Sequence, residues 1–219
     1  MRIAIYTSIF GNHATPAPTI DIPGVDWICF NDANMVSPGW ERRGFKSPSR
    51  FAHPRMTAKW VKMNPRLLLP EYDVTLWLDG SFTVLRPDIV ELLLPYLNPG
   101  GFAAFRHPDR NNIYDEATAS FHMAKYAGEP IIEQCTHYRN QGLPSSHGLW
   151  AGGALLRDNH SVSIARMNLD WMNENLLWSW QDQISLPYVL WKNRISARAF
   201  PYNLWDNPLL AHSWAGPDR

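Results

Sequence analysis

The sequence predicts an α/β fold: one compact domain whose mostly parallel central sheet is flanked by helices. Three observations lead there. Apolar runs of strand length recur along the chain, several of them end in small polar residues, and stretches of helical spacing lie between them. The first run, residues 3–6, closes in Thr7-Ser8; it resembles a signal peptide only superficially, because its apolar stretch is too short. A Pro-rich stretch at 12–23, containing His13-Ala14-Thr15-Pro16-Ala17-Pro18, reads as an exposed loop. Residues 27–30 form the second strand and lead into Asn31-Asp32, and residues 74–78 form another that leads into Asp79-Gly80-Ser81. Residues 102–105 and 154–156 are two further strands, while 54–64, 88–96, 115–127 and 164–177 have helical spacing. In such sheets ligands settle beyond the carboxyl ends of the strands, so these polar strand ends direct attention to a small-molecule site.

Composition narrows the field. With 45% hydrophobic and 18% charged residues over 219 positions, the chain is a globular domain and not a disordered one. Twenty basic and twenty acidic side chains cancel, so no global field draws it to nucleic acid or anionic lipid, and any such attraction must be local. Cys29 and Cys135 make neither a disulfide framework nor a thiolate zinc site, which favours a reducing, cytoplasmic setting. No apolar run reaches the roughly 18–20 residues of a membrane-spanning helix.

The strongest local field lies between Trp40 and Arg66. Arg42, Arg43, Lys46, Arg50, Arg55, Lys59, Lys62 and Arg66 face a single acid there, Glu41. Pro54 suits a first helical position, and Arg55, Lys59 and Lys62 then fall on one helical stripe, either to neutralise a pyrophosphate or simply to meet solvent. Asp79 at a strand end suits a Mg²⁺ or Mn²⁺ ion bridging diphosphate oxygens, and Gly80 permits close backbone approach; an ordinary turn has the same pattern. Gly152-Gly153 before an apolar strand leaves bare backbone for a flat ring, or makes a bulge. Within Trp178-Ser179-Trp180-Gln181-Asp182-Gln183, Asp182 is a base, a partner for a sugar hydroxyl, or a helix N-terminal acid. His107 with Arg110, Tyr114 and Glu116, and His212 near the end of the chain, complete the set; a lone histidine is more commonly a structural hydrogen-bonding group than a ligand. Neither HExxH, paired CxxC, a P-loop, GxSxG nor GxGxxG occurs, which removes support for zinc peptidases, P-loop NTPases, serine hydrolases and Rossmann dehydrogenases.

In sequence order these pieces resemble a GT-A-type glycosyltransferase, and within that class the family catalogued as domain of unknown function 616. The resemblance is carried by Phe30-Asn31-Asp32, Pro54-Arg55 with Lys59, Pro70-Glu71-Tyr72-Asp73, Trp77-Leu78-Asp79-Gly80-Ser81, His107 with Arg110, Tyr114-Asp115-Glu116, Tyr138 with Gly142-Leu143-Pro144, Gly148-Leu149 and Gln181-Asp182-Gln183. It implies a GT-A-like (Rossmann-like) sheet and a nucleotide sugar, with UDP as the first choice of nucleotide. Thr7, Ser8 and Asp32 would lie near the nucleoside, and Arg55 and Lys59 near phosphate. Asp79, Gly80, Ser81, His107, Gly152 and Gly153 would line the donor site, while Asp182, Gln183 and Glu116 would stand near the reacting centre. Asp79 occupies the first place of the family's Asp-x-Asp metal motif and Ser81 the third, so the two-carboxylate clamp is missing; by position His212 would join Asp79 on a Mn²⁺ or Mg²⁺ ion. Asp182 is then the first candidate base for an acceptor hydroxyl and Glu116 the second. The expected acceptor is a glycan or another hydroxyl compound, with nucleic acid a lesser choice through the 40–66 basic stretch. Two other functions stay open: a glycoside hydrolase using Asp79 and Glu116, and a non-catalytic carbohydrate-binding protein exploiting the eleven tryptophans.

Overall fold

In the computed structural model, residues 1–11, 15–32, 37–45 and 53–213 are described. Their spine is a seven-stranded sheet. Strands β1 (Ile3–Ile9), β2 (Val25–Asn31), β3 (Glu41–Gly44) and β4 (Val74–Leu78) run parallel to one another; β6 (Phe102–Arg106) and β8 (Arg198–Ala199) pair in parallel beyond them. Between the two groups lies β7 (Trp150–Asp158), antiparallel to both neighbours, in the spatial order β3-β2-β1-β4-β7-β6-β8. A separate ribbon joins β5 (Phe82–Val84) to β9 (Leu210–His212). The mostly parallel sheet expected from the sequence is therefore present.

Side-chain alternation divides the core into two layers. Ala4, Tyr6, Trp77 and Leu155 face a helical layer that includes Met63, Met167, Trp171 and Tyr188. Ile3, Ile5, Leu76, Leu78 and Leu156 face the opposite layer with Ile89, Leu93, Phe200 and Leu210. Helices α1 (Pro54–Met63), α4 (Ile113–Phe121), α5 (Ile131–Asn140), α6 (Val162–Leu177) and α7 (Asp182–Lys192) supply the first layer, following a one-turn α2 (Pro65–Leu68) and α3 (Ile89–Leu93), whose Ile89 and Leu93 belong to the second. Helix α1 starts as its sequence suggests: His53 Nδ1 accepts the Arg55 amide and Pro54 takes the first turn.

Several expectations need correction. The helix expected over 88–96 shortens to α3 followed by a 3-10 turn at Leu94–Leu97, because Pro95 offers no amide to an α-helical ladder. That over 115–127 starts earlier, where the Asn112 side chain caps the amides of Tyr114 and Asp115, and ends at Phe121. Residues 15–23 carry no helix or strand, yet Pro16 and Ile22 are buried and Trp40 Nε1 donates to Ala17 O at 2.8 Å, so the loop is packed and not wholly exposed. His13, Lys46 and Arg50 lie outside the described residues. Strand β3 falls within the basic stretch; as an edge strand it carries Arg43, which pairs with Glu41 and Glu71 at 2.8 Å each. Helix α7 continues through Pro187, and no described helix is long and apolar enough to cross a membrane.

Candidate active site

Because β7 runs against β4, its first residues stand beside the carboxyl end of β4. Leu78 pairs with Ala154, and the Asp79 amide donates to Gly153 O at 2.8 Å. Gly152 and Gly153 thereby form the floor of a cavity of about 370 Å³. A Cβ on Gly153 would lie 2.6 Å from the Phe82 ring and 3.3 Å from Asp79 Oδ2; one on Gly152 would lie 3.0 Å from Lys62 Nζ and 3.6 Å from either Asp182 oxygen. Only glycine leaves room for these charged groups to approach the strand.

Helix α1 delivers the cations. Its Arg55–Lys59–Lys62 stripe does not face solvent: Lys62 is 4% exposed, and the Lys59 side chain is similarly enclosed. Asp182, at the first turn of α7 where the helix dipole favours a carboxylate, receives both ammonium groups on Oδ2, from Lys62 at 2.7 Å and Lys59 at 3.0 Å. Lys62 Nζ also stands 3.7 Å from Asp79 Oδ1, which accepts Trp77 Nε1–H at 2.7 Å. Burial pushes the Asp182 carboxyl up, but Lys59 and Lys62 outweigh it and hold it well below the usual carboxylate range. Burial also drives both lysines down; Asp182 and Asp79 overcome this for Lys62, which ends above the usual lysine value, whereas Lys59 remains below it. At the rim, Arg55 lies 5.3 Å over the Trp180 ring, and both side chains donate to Lys125 O at 3.2 Å.

The cavity unites Arg55, Lys59, Asp79, Ser81, His107, Gly152, Gly153, Asp182, Gln183 and His212. The other expected site residues lie outside its lining. Gly80 is pressed on Ile9, its Cβ position only 2.4 Å from Cδ1. Thr7 is buried, with Oγ1 3.9 Å from that same position and no hydrogen-bond partner among the described residues. Ser8 Oγ donates to Ala58 O at 3.4 Å, tying β1 to α1, and Asp32 accepts the Gly11 amide at 3.2 Å. Glu116 is 2% exposed, and both of its oxygens are engaged, Oε2 by Arg110 and Oε1 by Ser120 and Gln181. His107 reaches the wall of the cavity, but Nδ1 accepts the amides of Asp109 and Arg110 at 3.2 Å, so its proton sits on Nε2, 3.5 Å from Glu116 Oε2. Sequence reasoning did not select Lys62, Lys125, Tyr126, Trp180 or Trp205 as site residues, although all five line the cavity. Lys62 was legible as the third cation of its stripe; nothing local marks Lys125 or Tyr126.

The residues around Asp79 fit the expected Mn²⁺ or Mg²⁺ ion poorly. Ser81 holds the place of the second carboxylate, and its Oγ lies 3.0 Å from His212 Nε2. Among the described residues no three His, Cys, Asp or Glu side chains converge on a common point. An ion on Asp79 would stand beside the Lys62 ammonium, where even two unit charges 4 Å apart repel by about 4 kcal/mol at an effective dielectric near 20.

A mostly parallel sheet with one reversed strand, its cavity at the carboxyl rim, is an architecture of the GT-A type. A family model described as TOD1/MUCI70, glycosyltransferase-like domain, matches residues 45–209, and the chain belongs to that family. Among solved structures, the apo form of the WbbM bifunctional glycosyltransferase is similar at TM-score 0.53 and 16% identity over 91% of this chain; the chain spans 38% of that protein. Apo mouse xyloside xylosyltransferase 1 aligns at TM-score 0.49 and 9% identity, over 91% of this chain and 84% of that one. No curated protein sequence matches the chain.

Proposed function

We propose that the protein is a glycosyltransferase that transfers a hexosyl or pentosyl group from a nucleotide sugar, with a UDP-sugar as the first choice, to a hydroxyl of a glycan or similar acceptor. The observation that carries this is the charge of the cavity. Arg55, Lys59, Lys62 and Lys125 face two acids there, Asp79 and Asp182, a surplus of +2 in a chain of net charge 0. Breaking the bond between the anomeric carbon and a diphosphate builds negative charge on the leaving group, and fixed cations in an enclosed site lower that barrier. Gly152 and Gly153 let Lys62, Asp182 and Asp79 close on the strand and so concentrate the charge of the cavity. Likeness to domain of unknown function 616 belongs to this reading, and the buried free thiols of Cys29 and Cys135 support a cytoplasmic setting.

Asp182, ionised and held by two lysines, is a weak base, and Glu116 is committed to its own donors. The acceptor proton then passes to an oxygen of the departing diphosphate on the face where the new glycosidic bond forms, a course that retains the anomeric configuration. Asp182 orients Lys59 and Lys62, and Gln183 supports the sugar face. Enclosure of Glu116 withdraws it from the Asp79–Glu116 pair, and Asp182, held ionised by two lysines, is unsuited to the proton-donating acid that the hydrolase alternative needs.

A thermal-shift panel of nucleoside diphosphates and nucleotide sugars tests the proposal, since a ligand at 100 times its Kd stabilises the folded state by about 2.7 kcal/mol. UDP and its sugars are expected to raise Tm, and Lys59→Ala to shrink that rise. Glycan binding without affinity for any nucleotide would replace the enzyme with a carbohydrate-binding protein; an undiminished rise in Lys59→Ala would remove that residue's role.

A further inference from the structure

We propose that Lys62 is a built-in counter-ion for the donor diphosphate, so that nucleoside diphosphates bind this protein without a divalent metal. The inference rests on the glycosyltransferase reading and deepens it by assigning the source of the positive charge. Lys62 reaches the cavity from inside the fold. Its ammonium lies over two indole rings, with Nζ 5.7 Å from the centroids of both Trp77 and Trp171. The ammonium emerges beneath Gly152, 2.7 Å from Asp182 and 3.7 Å from Asp79. It therefore stands next to the one carboxylate that remains from a two-acid clamp, where Ser81 adds a neutral hydroxyl.

Charge counting supports the same conclusion. Lys59 and Lys62 are balanced by Asp182 and Asp79, and Arg55 and Lys125 on the same lining leave the cavity a surplus of +2 to meet an anionic ligand. Because Lys62 is packed by aromatic rings and its backbone carbonyl accepts Tyr6 Oη–H at 2.8 Å, the ammonium is positioned before any ligand arrives. A metal ion would have to be bound and placed; this cation is part of the chain.

Isothermal titration calorimetry on the full chain with UDP, GDP, ADP and CDP, in excess EDTA and separately with Mn²⁺, tests the inference without relying on turnover. At least one diphosphate is expected to bind in EDTA with a Kd within three-fold of its Mn²⁺ value. Lys62→Met should weaken that binding at least ten-fold while Lys62→Arg recovers most of it, with urea unfolding confirming that both variants fold. Binding that vanishes in EDTA and returns with Mn²⁺ overturns the inference and leaves the glycosyltransferase reading standing. Wild-type affinity in Lys62→Met overturns it as well. Absence of binding by every diphosphate under both conditions removes the reading and the inference together.

Discussion

Asp182 shows how one side chain acquires its role from its surroundings. A carboxylate at a helix N-terminus is ordinary, and alone it would be a candidate base. Two ammonium groups within 3.0 Å make it instead a fixed anion that keeps both lysines charged and oriented in a buried place. Its neutral isostere would leave those cations uncompensated. Asp182→Asn is accordingly expected to destabilise the fold by about 3–5 kcal/mol, the usual cost of breaking a buried ion pair by removing one partner. Urea unfolding measures this; a change below about 1 kcal/mol would mean that solvent reaches the cluster more freely than its 6% exposure indicates.

Among the elements, α1 matters most for the site, because it carries all three cations of the stripe, and its ends are fixed differently. His53 and Pro54 set its start, whereas its last turn is held at Lys62 O by Tyr6 Oη and by Arg157 Nη1 reaching from β7. Arg157 is fully buried, donates Nη1 to Lys62 O and Tyr6 Oη, and among the described residues has no carboxylate partner and no hydrogen bond at Nε or Nη2; burial lowers its pKa from the usual arginine value. Such a group contributes little net stability, since desolvating it costs much of what its two bonds return. Arg157→Met keeps much of the volume, and Tyr6 can still bond Lys62 O. The urea midpoint of this variant is expected to hold or rise, and a loss beyond about 2 kcal/mol would show that Arg157 has partners in ordered water.

Over the whole molecule, the ionic cluster and two half-buried histidines respond to pH in separate windows. Asp182, whose folded pKa is depressed, supports the fold above its unfolded value and loses that contribution only as pH falls through the very low folded value. Lys62, raised, contributes below its unfolded value and fails only at strongly alkaline pH. His107 and His147 titrate between these limits. Burial lowers both from the ordinary value of 6.5, so near that pH the unfolded chain takes up protons that the folded chain refuses, and stability falls as the solution is acidified below pH 6.5. Urea midpoints measured at pH 7.5, 6.5 and 5.5 are expected to decline, with a shallower decline in a His107→Gln, His147→Gln double variant; equal slopes would place the acid sensitivity elsewhere.

The sequence alone determined the central strands, the sheet direction, the capped start of α1 and the polar strand ends, because each follows from local periodicity or turn chemistry along a few consecutive residues. Asp79, Lys59, Gly152-Gly153 and Asp182 were legible for the same reason. Their meeting was decided by tertiary structure: reversal of β7 puts its glycines beside Asp79, and packing of α1 against β1 turns a stripe that might have met water into the wall of a cavity. The same contacts set Lys62 between two acids, while Arg110, Ser120 and Gln181 withdrew Glu116 into an enclosed network. Charge in a protein acts through distance and desolvation, and neither is a property of neighbouring letters in a chain.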